Sequence, residues 1–180
     1  MEEENRYYII NGYNEEYKKT KDLNTLNGYS NPKSTVEDYN NVLSLFKQIN
    51  VESIYDVGCG SGLLLKYLYD NLPYKFIPYG LDYNELAINE LKSKVFPEYK
   101  ENFIIKDFVG QKIKSDAAIV MYEFENIEKS IDLDCRYLIF RVRNYNGGDD
   151  QRNFDKEFKE RVLDKKTGYF HHWFLVKKHI

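Results

Sequence analysis

Asp56, Gly58, Cys59, Gly60, Ser61 and Gly62 fall in one run, D-V-G-C-G-S-G, and Asp82, Asp107 and Glu123 follow further along the chain. Glycines at alternate positions let main-chain N–H groups approach a ligand closely, because no side chain intervenes. Where such a turn opens a helix, its free N–H groups and partial positive field favour an anionic group. Carboxylates at strand ends accept from hydroxyls and amines. The chemistry is ligand recognition, and the spacing discriminates among ligands.

A phosphate-binding loop closes with Gly-Lys-Ser/Thr, the lysine meeting phosphate charge and the hydroxyl meeting magnesium. Here Gly62 is followed by Leu63, Leu64 and Leu65, and Lys66 lies a turn into the next helix. A dinucleotide turn requires G-x-G-x-x-G. Counted from Gly58 the third glycine falls on Leu63, and counted from Gly60 it falls on Leu65. Neither register fits, although glycine fingerprints vary, so an NAD-type oxidoreductase stays as an alternative.

The elements that must carry these residues alternate. Ser34 and Glu37 form a capping-box pair ahead of a helix over 34–50, with Val36, Tyr39, Val42, Leu43, Phe46 and Ile49 at helical spacing. Ile54–Val57 is a strand, Gly62–Leu72 a helix, and "FIPYGLD" a second strand ending at Asp82. Asn84 caps the following helix, with Leu86, Ala87, Leu91 and Val95 inward. "NFIIKD", "DAAIVMY", "RYLIFRV" and "YFHHWFLVKK" are further strands. Phe154, Phe158 and Val162 suggest a helix over 155–163. Such alternation implies an α/β fold, a mostly parallel sheet between helical layers.

At 180 residues the chain is expected to form one domain. Within it, residues 1–33 are an N-terminal lid or cap segment with a short helix, 34–50 the first core helix and 51–180 the ligand-binding core. A formal net charge of −3 argues against a nucleic-acid partner. No apolar run is long enough to span a membrane. The acidic start "MEEENRYYIINGYNEE" is unlike a secretion leader, and Cys59 and Cys135 have no paired spacing, which suits a reduced, cytoplasmic setting. The 17 tyrosines are spread along the chain rather than gathered on one element.

The spacing D-x-G-x-G-x-G resembles motif I of the class I S-adenosylmethionine (SAM)-dependent methyltransferases. "YGLDYNELAINELKSK" is similar to the family's next segment, with Asp82 at 20 residues past Gly62. "NFIIKDF" and "SDAAIVMYEF" resemble the third and fourth segments, so the resemblance covers about residues 54–124. It implies a Rossmann-like α-β-α sandwich with an antiparallel C-terminal hairpin, of which only one strand is legible here. It implies SAM as cofactor, held by Asp56, Gly58, Cys59, Gly60 and Gly62 at the methionine part and by Asp82 at the ribose. Asp107 would meet the adenine amino group, with Phe108 or Tyr83 against the ring. SAM has no phosphate, which agrees with a turn lacking lysine.

Methyl transfer from a sulfonium needs in-line placement more than a catalytic constellation. Tyr122 and Glu123, with Glu125, follow the fourth strand, where the fold places the acceptor, and are the weak catalytic candidates. "MYEF" lacks the proline-rich motif of the family's amino-methylating branch. Arg141 and Arg143 could clamp an anionic substrate, or form an exposed pair facing helix acids. Asp149 and Asp150 sit in a Gly-Gly turn without a third ligand, so no metal site is expected. His171 and His172 default to structural roles. Tyr8, Tyr13, Tyr17 and Tyr29 suit a lid over the cofactor or packing against the helix at 34–50. The expected activity is methyl transfer to a small-molecule acceptor. A catalytically reduced SAM-binding accessory protein is the alternative of another class.

Overall fold

The structure, a computed structural model, describes residues 3–27, 32–121, 131–143, 158–167 and 171–177. The chain opens with helix α1 (Glu3–Thr20), a 3-10 turn (Leu23–Asn27) and helix α2 (Pro32–Phe46). Strand β1 (Ser53–Val57) leads into α3 (Leu63–Asn71), β2 (Ile77–Asp82) and α4 (Glu85–Glu90), then β3 (Phe103–Ile105). There follow β4 (Gln111–Lys114), β5 (Ala117–Val120), β6 (Ile131–Asp134), β7 (Tyr137–Arg143), β8 (Val162–Thr167) and β9 (His171–Lys177).

Seven strands form one sheet in the order β3-β2-β1-β5-β7-β9-β8, and β4 and β6 pair as a small separate sheet. The pairs β1–β2, β1–β5, β2–β3 and β5–β7 are parallel. β9 runs antiparallel to β7 and β8. A central parallel strand is covered on both faces and becomes apolar throughout; all of Ala117–Val120 is buried accordingly. One face carries Ile54, Ile119, Ile139 and Trp173 under α2, α3 and α4, through Val42, Phe46, Leu65, Leu68 and Ile88. The other carries Val57, Val120, Phe140 and Phe174, covered among the described residues by Ile113, Leu133 and Phe158.

Several expectations are corrected. The first core helix begins at Pro32, so Ser34 lies inside its first turn and is not its N-cap; proline suits a first turn, where its missing N–H would be unpaired anyway. Val36 points to solvent at 55% exposure, and the buried stripe runs through Thr35, Asp38, Tyr39, Val42 and Phe46 instead. The N-terminal segment is an 18-residue helix, not a short one. It closes at Lys21, which takes a left-handed conformation (φ 58) while its N–H donates to Tyr17 O. The missing hairpin strand is β8, Val162–Thr167: the helix expected over 155–163 gives way there to a 3-10 turn, Lys159–Arg161, and then to strand. The sheet is therefore complete at seven strands. Among the described residues of "DAAIVMY" the strand covers Ala117–Val120, and β4 and β6 are strands that the apolar pattern does not announce. Tyr69 and Tyr99 pack edge-on with Phe76 and Phe96, so some tyrosines do gather, though from different elements.

Candidate functional site

Strand order reverses between β2 and β5, with β1 in the middle. Open α/β sheets bind ligands at such a reversal, outside the carboxyl ends of the strands. The Gly58–Gly62 turn stands there. Gly58 and Cys59 donate their N–H groups to Leu81 O at 2.8 and 3.0 Å, tying the turn to β2. Gly60 N–H donates to Asp82 Oδ2 at 2.9 Å, and Asn84 N–H donates to Asp82 Oδ1 at 2.8 Å. One carboxylate thus bridges the glycine turn and the start of α4. Asn84 itself caps α4, its Oδ1 accepting from Leu86 and Ala87 N–H as the sequence predicts.

Gly62 is the N-cap of α3 at φ 76, and a Cβ there would lie 2.6 Å from Leu91 Cδ1. Both the backbone conformation and the closeness of α4's continuation exclude a side chain. Gly62→Ala is therefore expected to cost about 1–3 kcal/mol, read as a shift in the urea midpoint with an unchanged slope.

Asp56 is the second feature. It is 2% exposed, and its Oδ1 has no hydrogen-bond partner among the described residues. Burial, with the nearby Asp82 carboxylate, pushes the Asp56 carboxyl up to about 7. Burial also raises Asp82, against the opposing hydrogen bonds from Asn84, Gly60 and Tyr83. Two buried acids and a helix N-terminus therefore share one turn, and the orphaned Oδ1 asks for a donor or a cation.

The structure brings together Asp56, Gly58, Cys59, Gly60, Gly62 and Asp82 through these contacts, with half-buried Tyr83 next in chain. Cys59 enters by its backbone; its thiol is buried against Gly80, and burial pushes its pKa well up. Asp107 lies at the same sheet edge beyond β3, where its Oδ1 accepts from Val109 N–H at 3.1 Å and shapes the loop. Phe108 is 5% exposed and belongs to the core beside Val57 and Leu81. Tyr122, Glu123 and Glu125 lie outside the described residues, as do Tyr29, Asp149, Asp150 and the "NYNGGDD" loop. Among the described residues no group of acids, histidines and cysteines could hold a metal ion. His172 bonds Thr167 Oγ1 at the strand pair, a structural contact. Cys59 and Cys135 are both buried and form no disulfide.

Some site residues escaped the sequence reading. Asn27 Oδ1 accepts from Ser61 N–H at 2.7 Å and from Ser61 Oγ at 2.9 Å. A Cβ on Gly60 would collide with that same Oδ1. The open side of the turn is thus met by the N-terminal strap Leu23–Asn27. That strap is anchored through Leu26 and Tyr17 against Ala87, and Asn84 Nδ2 donates to Asn14 Oδ1 at 3.0 Å. The N-terminal segment therefore packs on α4 and the glycine turn, with Tyr17 buried and Tyr8 and Tyr13 exposed. Asp38 and Trp173 were missed as well. Trp173 Nε1 donates to Asp38 Oδ1 at 2.9 Å across 135 residues of sequence. The signal for Asp38 was available: an acid within the helical stripe that also holds Tyr39 and Val42.

No family model and no curated protein matches this sequence. Solved structures do match by shape. A putative RNA methyltransferase from Pyrococcus horikoshii superposes with a TM-score of 0.62 at 16% identity, over 84% of this chain and 88% of its own. An rRNA methylase from Escherichia coli gives 0.60 at 14%, over 87% and 70%. Magnesium protoporphyrin IX methyltransferase from Synechocystis, solved with bound SAM, gives 0.58 at 20%, over 81% and 80%. With its seven-stranded sheet and single antiparallel strand inserted near one edge, the chain has the Rossmann-like fold of the SAM-dependent methyltransferases.

Proposed function

We propose that the chain is a SAM-dependent methyltransferase acting on a small-molecule acceptor. The observation that carries this reading is the orphaned, buried Oδ1 of Asp56 behind a turn whose helix N-terminus favours an anion. A methionine zwitterion has both complements, an ammonium and a carboxylate. Asp56, Gly58, Cys59, Gly60 and Gly62 would hold that part. Asp82 would accept from the ribose with the lone pairs left after binding Gly60 and Asn84, and Tyr83, Asp107 and Phe108 would border the adenine. The group supplies an activated methyl on a good leaving group when bound. The chain's own work is to orient the acceptor and exclude water. The strap Leu23–Asn27, already seated on the turn, suits a cap, and Tyr122 and Glu123 remain candidates for contact with the acceptor.

A net charge of −3 does not exclude a nucleic-acid acceptor. Two structures of this fold are named for RNA substrates, so the fold itself admits an RNA acceptor. No helix among the described residues is long and apolar enough to cross a membrane.

Calorimetric titration of the whole chain with SAM, S-adenosylhomocysteine and NAD tests the cofactor. Micromolar binding of the first two and none of NAD is expected. Binding of NAD alone would replace the reading with an oxidoreductase. SAM binding without any S-adenosylhomocysteine release, across acceptor panels that include RNA, would favour the accessory alternative. Removal of residues 1–30 is expected to weaken SAM binding about tenfold, the loss of one well-placed polar contact; unchanged affinity would sink the cap.

A further inference from the structure

Arg141 stands at the carboxyl end of β7, opposite Trp173 of β9 and on the same side of the sheet as Ile139 and α2. It is half-buried. Its Nη2 donates to Met121 O at 2.9 Å, the first residue beyond β5. Its guanidinium lies 6.0 Å from the Trp173 ring centre. Asp38, buried on this side, accepts from the indole N–H at 2.9 Å, and the Arg141 charge lowers its carboxyl pKa against the stronger effect of burial. The indole thus does two things. Its N–H edge holds the Asp38 carboxylate, and its face lies against the guanidinium.

A guanidinium carries five N–H donors in a planar fork. Among the described residues Met121 O is the only hydrogen-bond acceptor that Arg141 reaches. A half-buried cation at the carboxyl end of β7, beside β5, with most of its fork unfilled among the described residues, is arranged for a ligand and not for the fold. We propose that Arg141 binds an oxyanion, carboxylate or phosphate, on the small methyl acceptor, with Trp173 and Met121 O fixing the guanidinium plane. This rests on the methyltransferase reading for the word acceptor, but not for the anion site. The surroundings favour a single anionic group over a polyanion. Among the described residues the buried charged side chains are all acids, Asp38, Asp56 and Asp82, and a nucleic-acid backbone calls for a strip of cations.

The test uses the whole chain, with and without S-adenosylhomocysteine, titrated with inorganic phosphate and with benzoate. Arg141→Met and Arg141→Lys are compared with wild type, with thermal midpoints and tryptophan emission as controls for folding. Wild type is expected to bind at least one probe. Arg141→Met is expected to lose about tenfold or more in affinity, and Arg141→Lys to recover part of it, because a point charge replaces the fork. S-adenosylhomocysteine affinity should stay the same in all three. Probe binding that is absent from wild type, or equal in wild type and Arg141→Met, overturns the proposal. So does a loss of S-adenosylhomocysteine affinity with the probes unaffected, which would assign Arg141 to the cofactor carboxylate. Displacement of phosphate by a short single-stranded RNA with steep salt dependence overturns the small-acceptor assignment. If S-adenosylhomocysteine fails to bind wild type while the probes respond to Arg141, the methyltransferase reading falls and the anion site stands. Should Arg141→Met not fold, Arg141→Lys alone decides by its probe affinity.

Discussion

Asp82→Ala is expected to abolish measurable SAM binding and to lower stability by about 2–4 kcal/mol, because two buried N–H donors lose their acceptor at once. Those donors are Gly60 N and Asn84 N, at 2.9 and 2.8 Å. The residue is 8% exposed, so water cannot replace the carboxylate without opening the turn. One effect runs the other way: removing Asp82 relieves its repulsion of Asp56. That repulsion ranks behind burial as the cause of the Asp56 shift, so the lost acceptors decide the sign. Asp82→Asn separates the roles. It keeps one acceptor oxygen but turns an NH2 toward a backbone N–H, so stability should recover in part while the proposed contact with the ribose does not. Urea unfolding reads the first effect and calorimetry the second. Wild-type stability in Asp82→Ala would show that the turn does not depend on this bridge.

The second large effect is a pH dependence centred on Asp56. Its carboxyl is shifted from an ordinary 3.8 up to about 7, chiefly by burial. A group whose pKa is raised by folding binds its proton more tightly in the native state. Its stabilising contribution is complete below 3.8 and is lost as pH climbs through about 7. At ~1.4 kcal/mol per unit, the shift is worth about 4 kcal/mol as an upper bound. The ligand-free chain should therefore be more stable at pH 5 than at pH 8. Asp38 and Asp82, also raised by burial, act in the same direction. His172, lowered by burial, acts against them. Comparison with Asp56→Asn isolates the one residue: the variant should gain stability at pH 8 and lose most of the slope between pH 4 and 7. Thermal midpoints in matched ionic strength across that range check it. On the proposed function, a cationic group beside Asp56 favours the ionised carboxylate, so SAM affinity should rise with pH through the same window in wild type only. Identical stability profiles for wild type and Asp56→Asn would mean that the acid is hydrated or paired in solution.

What the sequence determined by itself is what spacing encodes locally. The glycine rhythm from Asp56 to Gly62 set a turn between strand and helix, because alternate glycines leave the backbone room and Gly62 can adopt φ 76. Asn84 announced the start of α4 through a cap formed within three residues. Strands β1, β2 and β7 were legible because buried parallel strands are short apolar runs. Helix α1 was not legible beyond a fragment, since its residues alternate without a strong apolar face and much of its support comes from Tyr17 against Leu26 and Ala87. Strand β8 was not legible, its first two residues being taken as the end of a helix, because an edge strand buries every second side chain only partly and Phe158 and Val162 fall at helical spacing across a turn. Tertiary structure alone decided the rest. It seated Asn27 on Ser61 across 34 residues, held Asp38 on Trp173, and brought Arg141 at the carboxyl end of β7 against Trp173 and Met121 O. Those contacts join elements that meet only when the sheet closes, and the spacing within any one element carries no record of which distant side chain will face it.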